Sequence, residues 1–167
     1  MKQLNIFSSQ QEESPTSHTW VVYIDGASRG NPGKSGAGIM IRKDGEIVCQ
    51  EGFYLGIKTN NQAEYYALLL GLFFLSQYAH KNDVIRIVSD SELLVKQIGG
   101  SYKVKNDGLQ PLYTFAMNII NKRPMSLIHV MRTDNVEADA LANKGVDSKK
   151  VLPKSFLTLL KEHGISV

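Results

Sequence analysis

The sequence is almost without cysteine: Cys49 is the only thiol among 167 residues. No internal disulfide can form, and a reducing cytoplasm is the expected compartment. Long apolar runs are missing as well. The longest, Tyr65 to Leu75, stops far short of the ~20 residues that span a bilayer, so no membrane association is expected. The first 18 residues, MKQLNIFSSQQEESPTSH, lack the apolar stretch of a secretory signal. Charge of one sign is scarce too. The net charge is +3, and Lys2 against Glu12 and Glu13 leaves −1 in residues 1–18, so the remainder carries +4. That excess is compatible with a polyanionic partner without requiring one. Hydrophobic residues at 43% and charged residues at 21% are ordinary for a globular domain, which excludes a disordered or collagen-like chain.

What is present reads as one domain at residues 19–145, preceded by a flexible polar tail at 1–18 and followed by a linker and helix at 146–167. Thr19–Ile24 is β-branched and aromatic, and ends at Asp25-Gly26. A Gly- and Pro-bearing loop follows, Ala27 to Gly33. Two further strands, Ala37–Arg42 and Glu46–Leu55, flank Asp44-Gly45, a pair suited to a tight hairpin whose central residues both need positive φ. Asn60 or Asn61 is placed to cap a helix at about 61–80. That helix is apolar nearly all round and therefore buried. A strand at Val84–Ser89, helices at Ser91–Ile98 and Leu109–Lys122, and a strand at Leu127–Arg132 come next. A helix then opens at Asp134–Glu137 in a capping-box pattern and ends near Gly145. A last helix covers Pro153–His163, and packing on the domain is its expected use for Phe156, Leu157, Leu159 and Leu160. The order implies an α/β fold: a mixed five-stranded sheet, three antiparallel strands then two parallel ones, with helices on both faces.

Four carboxylates stand at informative positions. Asp25 and Asp90 each terminate an apolar strand, and ligand sites gather at the carboxyl ends of strands. Glu64 lies in the first turn of the buried helix, and Asp139 early in the helix after the last strand. Each alone has an ordinary role as turn former, helix cap, dipole partner or solvated surface residue. Brought to one edge, the four could not all stay ionised without cations. Hard oxygen donors select Mg²⁺ or Mn²⁺, and no thiol or paired-histidine spacing suggests zinc. Two such ions roughly 4 Å apart activate a water and stabilise the leaving oxygen of a phosphoryl displacement.

Four segments, Asp25-Gly-Ala-Ser-Arg-Gly-Asn-Pro-Gly33, Thr59-Asn-Asn-Gln-Ala-Glu64, Ser89-Asp90-Ser91 and Asn135-Val-Glu-Ala-Asp139-Ala-Leu-Ala142, resemble ribonuclease H type 1 in order and spacing over residues 19–145. The resemblance implies a ribonuclease H-like fold, with Asp25, Glu64, Asp90 and Asp139 holding two Mg²⁺ ions, Mn²⁺ substituting. It implies hydrolysis of the RNA strand of an RNA–DNA hybrid, leaving 5′-phosphate and 3′-hydroxyl ends. A non-catalytic hybrid-binding module and a DNA-acting nuclease of the same superfamily are the alternatives; all four carboxylates are present, and the Asn pair fits hybrid recognition. Hybrid contacts are expected from Gly26, Ser28, Asn31, Asn60, Asn61 and Ser91, with Thr59 matching a position that holds a DNA-strand phosphate.

The chain departs from the family pattern in three ways. The loop before the fourth Asp, Met131-Arg132-Thr133-Asp134, has no histidine; His129 precedes it within the strand, and Arg132 resembles the residue that shorter members use in its place. Glu92 stands where a glutamine commonly contacts substrate. The basic protrusion is reduced to Lys103 and Lys105, from which weaker hybrid affinity and a shallower salt dependence are expected. In the tail, Gln3-Leu4-Asn5-Ile6-Phe7 is similar to the peptide by which bacterial replication proteins dock on the sliding clamp, with Gln3, Leu4 and Phe7 as anchors. The protein is expected to be a monomer.

Overall fold

The computed structural model describes Ile6, Phe7, Glu12 and residues 15–167. Five strands, β1 (Thr19–Gly30), β2 (Gly33–Lys43), β3 (Glu46–Lys58), β4 (Val84–Ser89) and β5 (Ser126–His129), form one sheet in the order β3-β2-β1-β4-β5. The first three pair antiparallel, while β4 runs parallel to β1 and β5 parallel to β4. The turn between β2 and β3 has Asp44 at φ 49° and Gly45 at φ 86°, the double positive φ that the sequence pair anticipates.

The Gly/Pro segment after Asp25 is not a loop. β1 continues to Gly30 and β2 starts at Gly33, with Ser28 opposite Ser35, so only Asn31 and Pro32 turn the chain. The small residues permit close packing here rather than irregularity.

Helices α1 (Asn60–Ser76) and α4 (Val136–Ser148) cover opposite faces of the sheet. A Cβ on Gly71 of α1 would lie 3.0 Å from Val22 and Ile24, which places α1 on that side of β1. Asp25, alternating with Ile24, pairs with Gly38, which pairs with Gly52. There α4 lies directly on backbone: a Cβ on Gly38 would be 2.2 Å from the Ala138 carbonyl oxygen, and one on Gly52 1.9 Å from that of Leu141. Any larger residue at either position would lift the helix. Gly145, expected to end α4, lies inside it, because its missing side chain makes room for the Phe53 backbone 2.5 Å from where a Cβ would be. The helix ends instead at Lys149, at φ 51°.

Helices α2 (Glu92–Ile98), α3 (Gln110–Ile120) and α5 (Lys154–Glu162) complete the molecule. The Tyr65 hydroxyl of α1 donates to Gln97 Oε1 of α2 at 2.7 Å, both groups buried. α5 packs on the domain through three of the four residues expected to do so: Phe156, Leu159 and Leu160 are buried, with the Phe156 ring 5.4 Å from that of Phe73, whereas Leu157 faces outward and is exposed. The reading of residues 1–18 as a flexible polar tail gives way at two points. Ile6 and Phe7 are buried in the core, Phe7 under the Arg123 guanidinium at 5.4 Å. Nearer the strand, the Lys81 amide donates to the Glu12 carbonyl and the His18 amide to Asp83 Oδ1. The short apolar pair finds a seat that composition alone does not reveal.

Candidate active site

Asp25 sits on β1 where α1 first meets the sheet. Gly26 makes that meeting possible, since a Cβ there would be 2.3 Å from the Ala63 carbonyl carbon and 2.4 Å from the Glu64 nitrogen. The first turn of α1 therefore rests on the strand, and the Gly26 amide donates to Glu64 Oε2 at 3.1 Å. The turn is capped by Thr59, not Asn60 or Asn61. Its hydroxyl accepts from the Gln62 amide at 3.2 Å, and Gln62 Oε1 accepts from the Thr59 amide at 2.9 Å. This reciprocal box outcompetes the asparagines because Gln62 stands at the required spacing. Asp90 follows the last residue of β4, parallel and adjacent to β1, where Ser89 is opposite Ile24. Ser91 caps α2 by accepting from the Leu94 amide at 3.2 Å.

Asp25, Glu64 and Asp90 thus offer one carboxylate oxygen each within 4.8 Å of one another. Asp25 is buried, Glu64 and Asp90 are half-buried, and Asp139, from the first turn of α4, stands exposed at the rim. Burial, then the charges of Glu64 and Asp90, then Asp139, push the Asp25 carboxyl far above the usual carboxylate range. Glu64 is raised too, by burial and then Asp90, against the opposing pull of the Gly26 amide and Arg132. Carboxylates crowded in this way attract positive charge, and the all-oxygen donor set fits a hard divalent cation.

A cleft of about 590 Å³ opens over the cluster, lined by Asp25 to Ser28, Asn60, Asn61, Glu64, Asp90, Ser91, Arg132, Thr133, Val136 and Asp139. It is wide and polar, shaped for an extended, hydrogen-bonding ligand rather than a small apolar one.

A family model described as "Reverse transcriptase-like" matches residues 23–145. Ribonuclease HI of Halobacterium salinarum is 38% identical over 149 residues, spanning 82% of this chain and 74% of that protein. The chain belongs to the ribonuclease H type 1 family. The crystal structure of the Halobacterium salinarum RNase H1 aligns at a TM-score of 0.73 with 36% identity, covering 78% of this chain and 98% of that one. LC11-RNase H1 in complex with an RNA/DNA hybrid aligns at 0.73 with 34% identity over 77% of this chain and 97% of that one.

Of the residues expected to serve this ribonuclease H site, ten line the cleft and two do not. Asn31 supports the wall from behind, its Oδ1 accepting from the Asn60 amide at 3.1 Å. Thr59 is occupied in the cap. The Ser28 hydroxyl donates within the hairpin, to the Gly30 carbonyl and to that of Lys58, so it braces β1 against β3. β5 ends at His129, paired with Ser89, and the chain then forms a 3-10 turn, Arg132–Asp134, that carries Arg132 to the rim. Glu92 is engaged on its own helix by Lys96 at 2.6 Å. Gln3 and Leu4 lie outside the described residues.

Sequence reasoning passes over Ala27, Thr133 and Val136 as lining residues and misses the use made of Asn135. Asn135 precedes α4 as its N-cap but makes no side-chain cap bond. Its Nδ2 donates to the Ile24 carbonyl at 2.9 Å instead. The signal was its place at the head of the segment containing Asp139; its partner is 111 residues away in sequence.

Proposed function

We infer that this chain is a ribonuclease H that hydrolyses the RNA strand of RNA–DNA hybrids, leaving 5′-phosphate and 3′-hydroxyl ends. The observation that carries the reading is the trio Asp25, Glu64 and Asp90, its oxygens within 4.8 Å in the cleft of a ribonuclease H type 1 domain. Asp25, Glu64, Asp90 and Asp139 are the residues to hold two divalent cations, Mg²⁺ with Mn²⁺ able to replace it. Such ions, when bound, make water a nucleophile near neutral pH and offset charge on a departing oxygen.

The remaining work falls to the protein. Asp25, inside β1, and Asp90, directly after the adjacent β4, hold the floor of the site rigid. Glu64 is oriented by the Gly26 amide. Arg132 at the rim is the cation best placed to meet negative charge as the product strand leaves, in place of the absent loop histidine. Asn60, Asn61 and Ser91, with the backbone of residues 26–28, offer neutral donors and acceptors along the wall. Such groups suit 2′-hydroxyls displayed in the minor groove of an A-like duplex.

The deciding experiment is cleavage of a hybrid end-labelled on the RNA, with Mg²⁺ and with EDTA, beside single-stranded RNA, duplex DNA and Asp25→Asn. Metal-dependent cutting of the hybrid RNA alone, lost in the variant, is the expected result. A folded protein that binds hybrid and cuts nothing with either metal would instead be a binding module. A cytoplasmic, monomeric enzyme is part of the same proposal, the first supported by the lone Cys49. The clamp-docking role of the N-terminal peptide belongs here too. Because Phe7 is buried beneath Arg123, docking would have to draw it out of its seat. Deleting residues 1–8 should abolish clamp binding and leave hybrid cleavage unchanged; unchanged clamp binding discards the role.

A further inference from the structure

Asn135 is fully buried and joins three parts of the site that arrive from different elements. Its side-chain Nδ2 donates to the carbonyl of Ile24, the residue before Asp25. Its main-chain carbonyl accepts from the amide of Asp139 at 3.2 Å, and its own amide donates to the Arg132 carbonyl at 3.1 Å. The asparagine spends its side chain on β1 and forgoes the cap that Asn commonly supplies at this position. Its Oδ1 is left buried with no partner, the one such side-chain atom among the described residues. A buried acceptor left unsatisfied is destabilising. An alanine here would leave no such atom but would also remove the bond to Ile24, so what the residue contributes is the tie between α4 and β1.

We propose that Asn135 is a positioning residue, which sets Asp139 at its working distance from Asp25 and thereby completes the cation site. The inference rests on the ribonuclease H reading above. α4 already lies on glycine backbone at Gly38 and Gly52, which fixes its height over the sheet. What that contact leaves open is sliding along the strands, and the bond to Ile24 closes it. Asp139 needs such a device more than its partners do. Asp25 lies in the sheet, Asp90 directly follows β4 and Glu64 is tied by Gly26, whereas Asp139 is exposed, stands outside the trio and meets Asn143 Nδ2 of its own helix at 3.4 Å.

The test measures Mn²⁺ binding by calorimetry and hybrid cleavage under steady-state conditions, for the full chain and for Asn135→Ala, Asp139→Asn and the double variant. Asn135→Ala should weaken Mn²⁺ binding about tenfold and lower kcat by one to two orders of magnitude, with KM for hybrid within about twofold, as expected when an outer partner of a ligand is lost. In the Asp139→Asn background the same substitution should change Mn²⁺ affinity by less than twofold, because its effect passes through Asp139. Leu159→Ala in α5, a core substitution far from the cleft, controls for lost stability and should leave kcat unchanged below its melting temperature. Should Asn135→Ala fail to fold, Asn135→Ser, which keeps a shorter donor, takes its place with the same expectations, reduced in size. Wild-type Mn²⁺ affinity and kcat in the folded variant would overturn the proposal, as would equal losses in the presence and absence of the Asp139 carboxylate. If the wild-type chain neither binds Mn²⁺ nor cuts hybrid, the functional reading falls and takes this one with it.

Discussion

The two ends of β4 carry two aspartates with opposite surroundings. Asp83, just before the strand, is buried, and meets three donors: the His18 amide at 2.9 Å, the Trp20 indole at 2.8 Å and the His80 amide at 2.9 Å. Burial by itself would raise its pKa, but those bonds outweigh it and hold the carboxyl below the ordinary range. Asp90, just after the strand, looks across to Asp25 and Glu64, where carboxylates face one another and burial and repulsion act together. One end of the sheet is finished with its own hydrogen bonds. The other is left electrostatically incomplete, so that it takes up protons or an added cation. Buried carboxylates are therefore not alike: the donors around them decide whether they support the fold or serve a ligand.

The sharpest way to break this comparison is to neutralise each end in turn. Asp25→Asn should cost at least about two to three orders of magnitude in hybrid cleavage, the scale for removing an electrostatic anchor of a transition state. In EDTA it should nevertheless raise the melting temperature by a few degrees, because repulsion is relieved. Asp83→Asn should do the reverse. It should lose about 3 kcal/mol of stability in urea unfolding, as when a buried, hydrogen-bonded charge is disrupted. Its kcat should stay within a few-fold of wild type at 25 °C. If Asp83→Asn were as inactive as Asp25→Asn while remaining folded, the division between the two ends would fail.

Acidity should separate the ends without mutation. Raised carboxyls bind more protons in the folded than in the unfolded chain, so the Asp25–Glu64 cluster makes the metal-free protein less stable as pH rises above about 4. Asp83 has the opposite sign. Its contribution is present above the unfolded value of about 3.9 and is lost as pH falls through its lower folded value. Thermal unfolding in EDTA from pH 3 to 9 should thus show a maximum on the acid side of neutrality, and Asp25→Asn should flatten the alkaline decline. Saturating Mg²⁺ or Mn²⁺ should abolish that decline too. At a hundred times the dissociation constant the gain is about 2.7 kcal/mol, and it should grow with pH. A cation effect independent of pH would contradict the cluster as its site.

The smallest effect belongs to the segment beside Asp83. Arg123 donates to the Asp83 carbonyl and covers Phe7, so removing residues 1–8 should lower stability by about 1–2 kcal/mol, less than a full core truncation. The signal at the Asp25 end, kcat, should not move.

Much of this was legible in the chain, for reasons tied to particular residues. Asp44-Gly45 announced its turn because few residues accept two positive φ values in succession. Glu64 and Asp90 were found because strand ends and first helical turns are local features. Legibility failed where a long-range partner settled the matter. Thr59, Asn60 and Asn61 are all good caps, and Gln62 decided among them. Gly145 reads as a stop until Phe53 is seen against it, and Ala27–Gly30 reads as a loop until β2 is laid alongside. Ile6 and Phe7 read as tail because nothing nearby in sequence offers them a surface.

The seat of α4 on glycine has a consequence for how this protein tolerates change. Where side chains interdigitate, a substitution is absorbed by neighbours that rotate, and a core position accepts several residues of similar size. At Gly38, Gly52 and Gly145 the facing atoms are peptide backbone, which has no rotamers to offer. A saturation library should therefore read blank at these three columns, while Val22, Ile24 and Leu68 across the sheet show graded acceptance. The height of the helix bearing Asp139 over the sheet is set by what the sequence omits, so the side chains of the opposite layer can vary without lifting it.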